Sequence, residues 1–177
     1  VYLPGMHIIV GPLSLVPRLV AERRPSHLIT LLDPDHAPTV ATPAPLTADR
    51  HLKIGVNDIS DPTEGLLLCQ ESMVQAILDF GAGWDEREPI LVHCWAGISR
   101  SSATAFTLAC ERNPETAERD IAERLRRTCA RATPNRRIVA IADDLLGRGG
   151  RMVDAVDSIG RGEPAYENVP FTLPARF

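Results

Sequence analysis

Apolar positions along the chain fall into two patterns. Four short uninterrupted runs, HIIV (7–10), HLITLL (27–32), HLKIGV (51–56) and PILVH (89–93), have the length and β-branched content of strands, and the last, bounded by Pro89, reads as a central strand covered on both faces. Elsewhere apolar residues recur at helical spacing. Leu15, Leu19 and Val20 mark a first helix with Ser14 as its expected N-cap, and positions 66, 69, 73, 77 and 80 mark a second, running from Leu66 to Phe80 and closed by GAG. Further helices are predicted over 101–110 with Ala103, Phe106 and Cys110 inward, over NPETAERDIAERLRRTCARA, and over TPNRRIVAIADDLLG with Ile138, Ile141, Ala142 and Leu145 on one stripe. A short helix is predicted over 151–159. The stretch 37–49, dominated by Pro and Thr, reads as loop with room for one edge strand.

Strand, helix, strand, strand, helix, strand, then helices only: this order predicts the α/β class, with a central mostly parallel sheet flanked by helices on both faces. At 177 residues one domain is expected, spanning 6–159, with 160–177 as an extended tail laid over the body or over a second copy. Val1 is not an initiator residue, so Met6 is the expected native start and 1–5 are expected to be vector-derived.

Composition narrows the function. A hydrophobic content of 44% and a charged content of 24% are those of a soluble globular protein, and a net charge of −4 gives no overall attraction to nucleic acid or an anionic membrane. The apolar stretch 6–20 lacks a positive n-region, carries Pro12 and Pro17 and runs into AERR, so it reads as strand plus helix rather than a secretory segment. No window reaches the apolar length of a membrane span, and a cytoplasmic location is expected. The four cysteines, Cys69, Cys94, Cys110 and Cys129, have neither CxxC spacing nor histidines at zinc spacing, so neither metal nor cofactor is called for. Arginine supplies 18 of the 19 basic residues, which reads as coding bias; eight of them lie between Arg112 and Arg137. There Glu115–Arg119, Asp120–Arg124 and Glu123–Arg127 have i,i+4 spacing and aromatic residues are missing, so a solvated, salt-bridged face is expected rather than a nucleic-acid surface.

The stretch ILVHCWAGISRSS (90–102) is the one that packing does not explain. Cys-x5-Arg alone is a weak pattern, with about 0.4 chance matches expected from this composition. Its setting is what counts. A buried strand delivers Cys94 at its carboxyl end, a turn containing Gly97 follows, and a helix begins near Arg100, which is where open α/β sheets bind ligands and where a helix offers free N–H groups to an anion. Gly97 allows close backbone approach, and the planar fork of Arg100 matches two phosphate oxygens. In that positive field a thiol shifts toward thiolate and becomes a nucleophile; Ser101 is placed to hydrogen-bond the sulfur and His93 to order the turn from behind.

HCWAGISRS resembles the HCxxGxxR[S/T] signature of the protein tyrosine phosphatase superfamily, and its flanks resemble the compact dual-specificity branch in a bacterial form, with the similarity spanning 7–146. The resemblance implies a phosphocysteine on Cys94, phosphate binding by the backbone of Trp95, Ala96, Gly97, Ile98, Ser99 and Arg100, and stabilisation of the leaving thiolate by Ser101. Such chemistry needs an acid for the departing oxygen. Asp58 in IGVNDISDP resembles the family's general acid, with Asp61 as the alternative; Pro134-Asn135 resembles the start of a helix behind the phosphate loop. The turn holds no lysine, which argues against inositol lipids, and there is no WPD tripeptide. Trp95 either walls the pocket or packs under the turn.

The expected function is therefore a metal-free cysteine phosphatase acting on phosphomonoesters of protein Tyr and/or Ser/Thr. A phosphate-binding pseudophosphatase adaptor and a phosphatase of nucleotides or RNA 5′-phosphates are the alternatives. Phosphorylated proteins or small molecules are the expected partners, without nucleic acid or membrane; oligomeric state is open.

Overall fold

Alternation along the buried strands decides how the layers assemble. The computed structural model describes residues 6–177, in which β1 (His7–Pro12), β2 (His27–Leu32), β3 (His51–Gly55), β4 (Ile90–Cys94) and β5 (Phe171–Pro174) form one sheet in the order β3-β2-β4-β1-β5. The first four are mutually parallel, as the apolar runs require. Ile9, Leu28 and Leu91 point to one face, where they meet Val16, Leu19 and Val20 of α1 (Val16–Arg23). Ile8, Val10, Ile29, Leu31, Ile90 and Val92 point to the other. That face is covered by α2 (Glu71–Ala82), α3 (Arg100–Arg112), α4 (Glu118–Thr128), α5 (Arg136–Leu145) and α6 (Arg151–Ile159), so both faces carry helices, one against five. Phe106 of α3, fully buried, sits in this larger core.

Several expectations change in detail. The chain does not end in helices: β5 pairs antiparallel with β1 and buries Phe171 and Leu173, so the end of the tail completes the sheet. Asn113 ties it down further, donating to Ala175 O at 2.8 Å and accepting from Phe177 N at 2.9 Å. Helix α2 begins at Glu71 rather than Leu66, because Asn57 and Leu67 exchange hydrogen bonds and close 57–67 into a loop that uses those backbone groups. Ser14 lies in a 3-10 turn and does not cap α1; its hydroxyl donates to Glu167 in the tail at 2.7 Å. The stretch 37–49 holds two 3-10 turns, Ala37–Thr39 and Ala48–Arg50, and no strand. Of the three charge pairs expected after Arg112, only Glu123–Arg127 forms among the described residues, at 4.0 Å, and Glu123 also takes Arg119 at 3.4 Å. Residues 1–5 lie outside the described residues, and no described helix is long and apolar enough to cross a membrane.

Candidate active site

Strand β4 lies between β2 and β1, where the strand order turns back, so its carboxyl end opens onto the crevice that α/β sheets use for ligands. It ends at Cys94; α3 begins at Arg100, and 95–99 make the turn between them. The turn is held from outside. Trp95 O accepts from Leu13 N, Ala96 O from Asn168 N, Gly97 O from Asn168 Nδ2, Ile98 O from Thr133 N and from Ser102 Oγ, and Ser99 O from Asn135 N. In a trans peptide the C=O and the next N–H point opposite ways, so five outward carbonyls turn the N–H groups of 96–100 toward a common centre. The loop is a ring of amide donors at the amino end of a 13-residue helix, built for an oxyanion. Gly97 is required twice over. Its φ is +71°, and a Cβ there would lie 2.7 Å from Gly11 C and 2.8 Å from Pro12 N at the end of β1.

At the floor, Cys94 Sγ lies 3.1 Å from Ser101 Oγ, the contact expected from their spacing. The buried Arg100 donates from Nη1 to Val56 O at 2.8 Å and to Asp33 Oδ1 at 2.9 Å, while its Nε–H, also buried, meets no acceptor among the described residues. A buried guanidinium N–H beside inward amides can donate to an anion's oxygen. By contrast the other cysteines are buried thiols without such surroundings, and burial pushes Cys69 up to about 11 and Cys110 further still.

Behind the loop, His93 heads a chain of hydrogen bonds across three strands. Cys94 O can only accept, so the Nδ1 of His93, 3.2 Å away, carries the proton and Nε2 accepts from Thr30 Oγ1 at 2.6 Å. Thr30, having spent its proton, accepts from His51 Nε2 at 2.8 Å, and His51 Nδ1 accepts from Thr42 Oγ1 at 2.8 Å. Both imidazoles are therefore neutral. Burial lowers each to about 4, helped for His93 by Arg100 and for His51 by Lys53.

Asp58 stands at the opposite rim. Its Oδ1 accepts from Ser99 Oγ at 2.7 Å and Asn135 Nδ2 at 2.9 Å, leaving Oδ2 without a protein donor among the described residues. Asp61 makes no comparable hydrogen bond to the loop among the described residues; its main-chain oxygen accepts from Thr63 at 3.1 Å and its carboxylate acts electrostatically on Arg136. Asn135 does more than start a helix: it caps α5 through Ile138 N at 3.1 Å, holds Ile59 O at 3.1 Å, donates its main-chain N–H to Ser99 O at 3.2 Å, and so joins α5, the Asp58 loop and the 95–99 turn. Trp95 is 41% exposed, its Nε1 donates to Asp33 Oδ2 at 3.3 Å, and its ring meets His36 edge-on at 5.2 Å. An indole so exposed and so tethered walls the mouth and does not pack beneath the turn. An open groove of about 800 Å³ leads away along Asp58, Ser99, Pro134 and Arg136 to tail residues 160–165.

Two residues of this site went unread in the sequence. Asp33, which bridges Arg100 and Trp95, directly follows β2, the neighbour of β4, so its place after a buried parallel strand was a usable signal. Asn168 lies in an aperiodic tail that carries no such signal.

No family model and no curated sequence matches the chain. Solved structures do. The chain is similar to the PTP-2 phosphatase of Cydia pomonella (20% identity, 77% of this chain and 84% of that one, TM-score 0.59) and to DUSP15 (17%, 90% and 93%, 0.56). It is equally similar to the human tyrosine phosphatase-like serine/threonine/tyrosine-interacting protein (20%, 80% and 92%, 0.59). The chain has the fold of the dual-specificity-type protein tyrosine phosphatases.

Proposed function

We propose that the protein is a cysteine-dependent phosphatase of the cytoplasm that hydrolyses phosphomonoesters on protein tyrosine and/or serine and threonine through a phosphocysteine intermediate. One observation carries this reading: five outward carbonyls give an inward ring of amides with Cys94 at its base and an unmatched Arg100 N–H beside it. A phosphoryl group in that ring presents its phosphorus to the sulfur, its equatorial oxygens to the amides and to Arg100, and its ester oxygen to the rim. The thiolate attacks, an S–P bond forms, and the P–O bond breaks as Asp58 transfers a proton from Oδ2 to the leaving oxygen. Water then attacks the phosphocysteine while Asp58, now a carboxylate, takes its proton; the thiolate departs with the Ser101 hydroxyl donating to it. The contacts of Asp58 with Ser99 and Asn135 favour it over Asp61 for this role.

The likeness to phosphatase folds supports the general reaction. The aromatic wall of Trp95 and His36 supports aryl phosphates among the substrates, and the groove beyond Ser99 supports a substrate that extends past its phosphate, as a protein does. An aryl phosphate assay decides the matter: wild type turns over, and Cys94→Ser loses all turnover while retaining vanadate binding. Equal rates in the two would end the proposal, and binding without turnover in wild type would mark an adaptor instead. Phosphopeptides assayed beside nucleotides and 5′-phosphorylated RNA separate the substrate classes.

A further inference from the structure

The amide ring depends on its peptides staying the right way round, and the weakest point is Gly97. A glycine at φ +71° has little steric resistance to a peptide flip, and a flip on either side of it would remove an inward N–H and aim a carbonyl oxygen at the bound anion. Both flanking peptides are held by one residue. The main-chain N–H of Asn168 binds Ala96 O at 2.9 Å and its Nδ2 binds Gly97 O at 3.0 Å, while the same Nδ2 lies 3.1 Å from Cys129 Sγ. Asn168 is buried although its neighbours Glu167 and Val169 are exposed, so this stretch of tail contributes one side chain inward, and that side chain reaches the loop. The strand that follows, β5, anchors it to β1, whose end Gly97 touches.

We propose that Asn168 is a positioning residue of the phosphate loop: the C-terminal tail is part of the anion-binding apparatus and locks the two peptides around Gly97 with their N–H groups inward. This rests on the reading of the loop as a phosphate site. Asn168 touches no substrate; its action is through the orientation of the amides of Gly97 and Ile98.

The test uses the full chain, vanadate and inorganic phosphate as probes, and an aryl phosphate as substrate. Asn168→Asp keeps the side-chain shape and the main-chain bond but sets an oxygen against Gly97 O. It is expected to weaken vanadate binding at least about tenfold and to lower kcat/KM by about 10–100-fold at pH 7 in protein that remains folded by near-UV circular dichroism, since a lost donor becomes an opposed acceptor. Toward pH 5 its deficit relative to wild type shrinks, because a protonated carboxyl regains an O–H that Gly97 O can accept. Asn168→Ala, which cannot regain a donor, shows no such recovery, and Tyr166→Phe, altered at a fully exposed site nearby, behaves as wild type. Wild-type affinity in both Asn168 variants overturns the proposal, as does a loss that merely tracks the unfolded fraction or a pH profile shared by the Asp and Ala variants. Failure of wild type itself to bind vanadate or turn over would instead remove the phosphatase reading, and this inference with it.

Discussion

At Arg100 the chemistry is a matter of which N–H groups are already used. Nη1 is committed to Asp33 and Val56, which aims the guanidinium and leaves the buried Nε–H for an oxyanion. Lysine keeps the charge but has no fork, so Arg100→Lys is expected to lower kcat/KM by about 10²–10³ with the fold intact, measured on an aryl phosphate. Asp58→Asn removes the proton donor but keeps an oxygen for Ser99 and Asn135; turnover falls by about 10²–10⁴, and least for substrates with good leaving groups. A loss independent of leaving group would count against Asp58 as the acid. The placement of Cys94, Arg100 and Asp58, to which the proposal gives the roles of nucleophile, anion clamp and acid, was legible in the sequence because each sits at or just past the carboxyl end of a readable strand or at the start of a readable helix. Asp33 was legible in principle, whereas Asn168 was not, since nothing in an aperiodic tail announces what it touches.

Among the elements, β2, β3 and β4 are joined by more than their ladder, because Thr30 serves two histidines at once. Thr30→Val is nearly isosteric and strands both imidazole nitrogens in the interior, at a cost of about 1–3 kcal/mol for each. Chemical denaturation should show this loss together with a reduced rate of Cys94 alkylation as His93 loses its orientation; unchanged stability would mean that the relay carries no net energy. The strands themselves were readable, β2 to the residue, since a buried parallel strand is a continuous apolar run. Helix α2 was overextended for a physical reason: Leu66 and Cys69 fit the periodicity, yet the Asn57–Leu67 loop claims the backbone there, and Leu66 ends up exposed.

For the whole molecule, pH is the informative variable. His93 and His51 hold pKa values of about 4 when folded against about 6.5 when unfolded, so between these limits the unfolded chain binds more protons. Stability therefore falls as pH drops through 6.5 toward 4, and the melting temperature at pH 5 is expected to lie below that at pH 7. Thr30→Val should change the absolute values but not the sign of this slope. A melting temperature that rises on acidification over this range would contradict neutral, buried histidines.

Local rules in the sequence determined the α/β class, the parallel strands and the Cys94–Arg100 loop, because each rests on short-range features: apolar runs, turn glycine, helix start. Tertiary structure alone decided that the tail adds β5 antiparallel to β1, that Asp33 and Trp95 meet at the mouth, and that Asn168 braces Gly97 from 71 residues away. These are contacts between segments distant in sequence, and the packing of β2 and β1 on either side of β4 brings them within reach of one another: β2 carries Asp33 to Trp95, and β1, with β5 paired to it, carries the tail to Gly97.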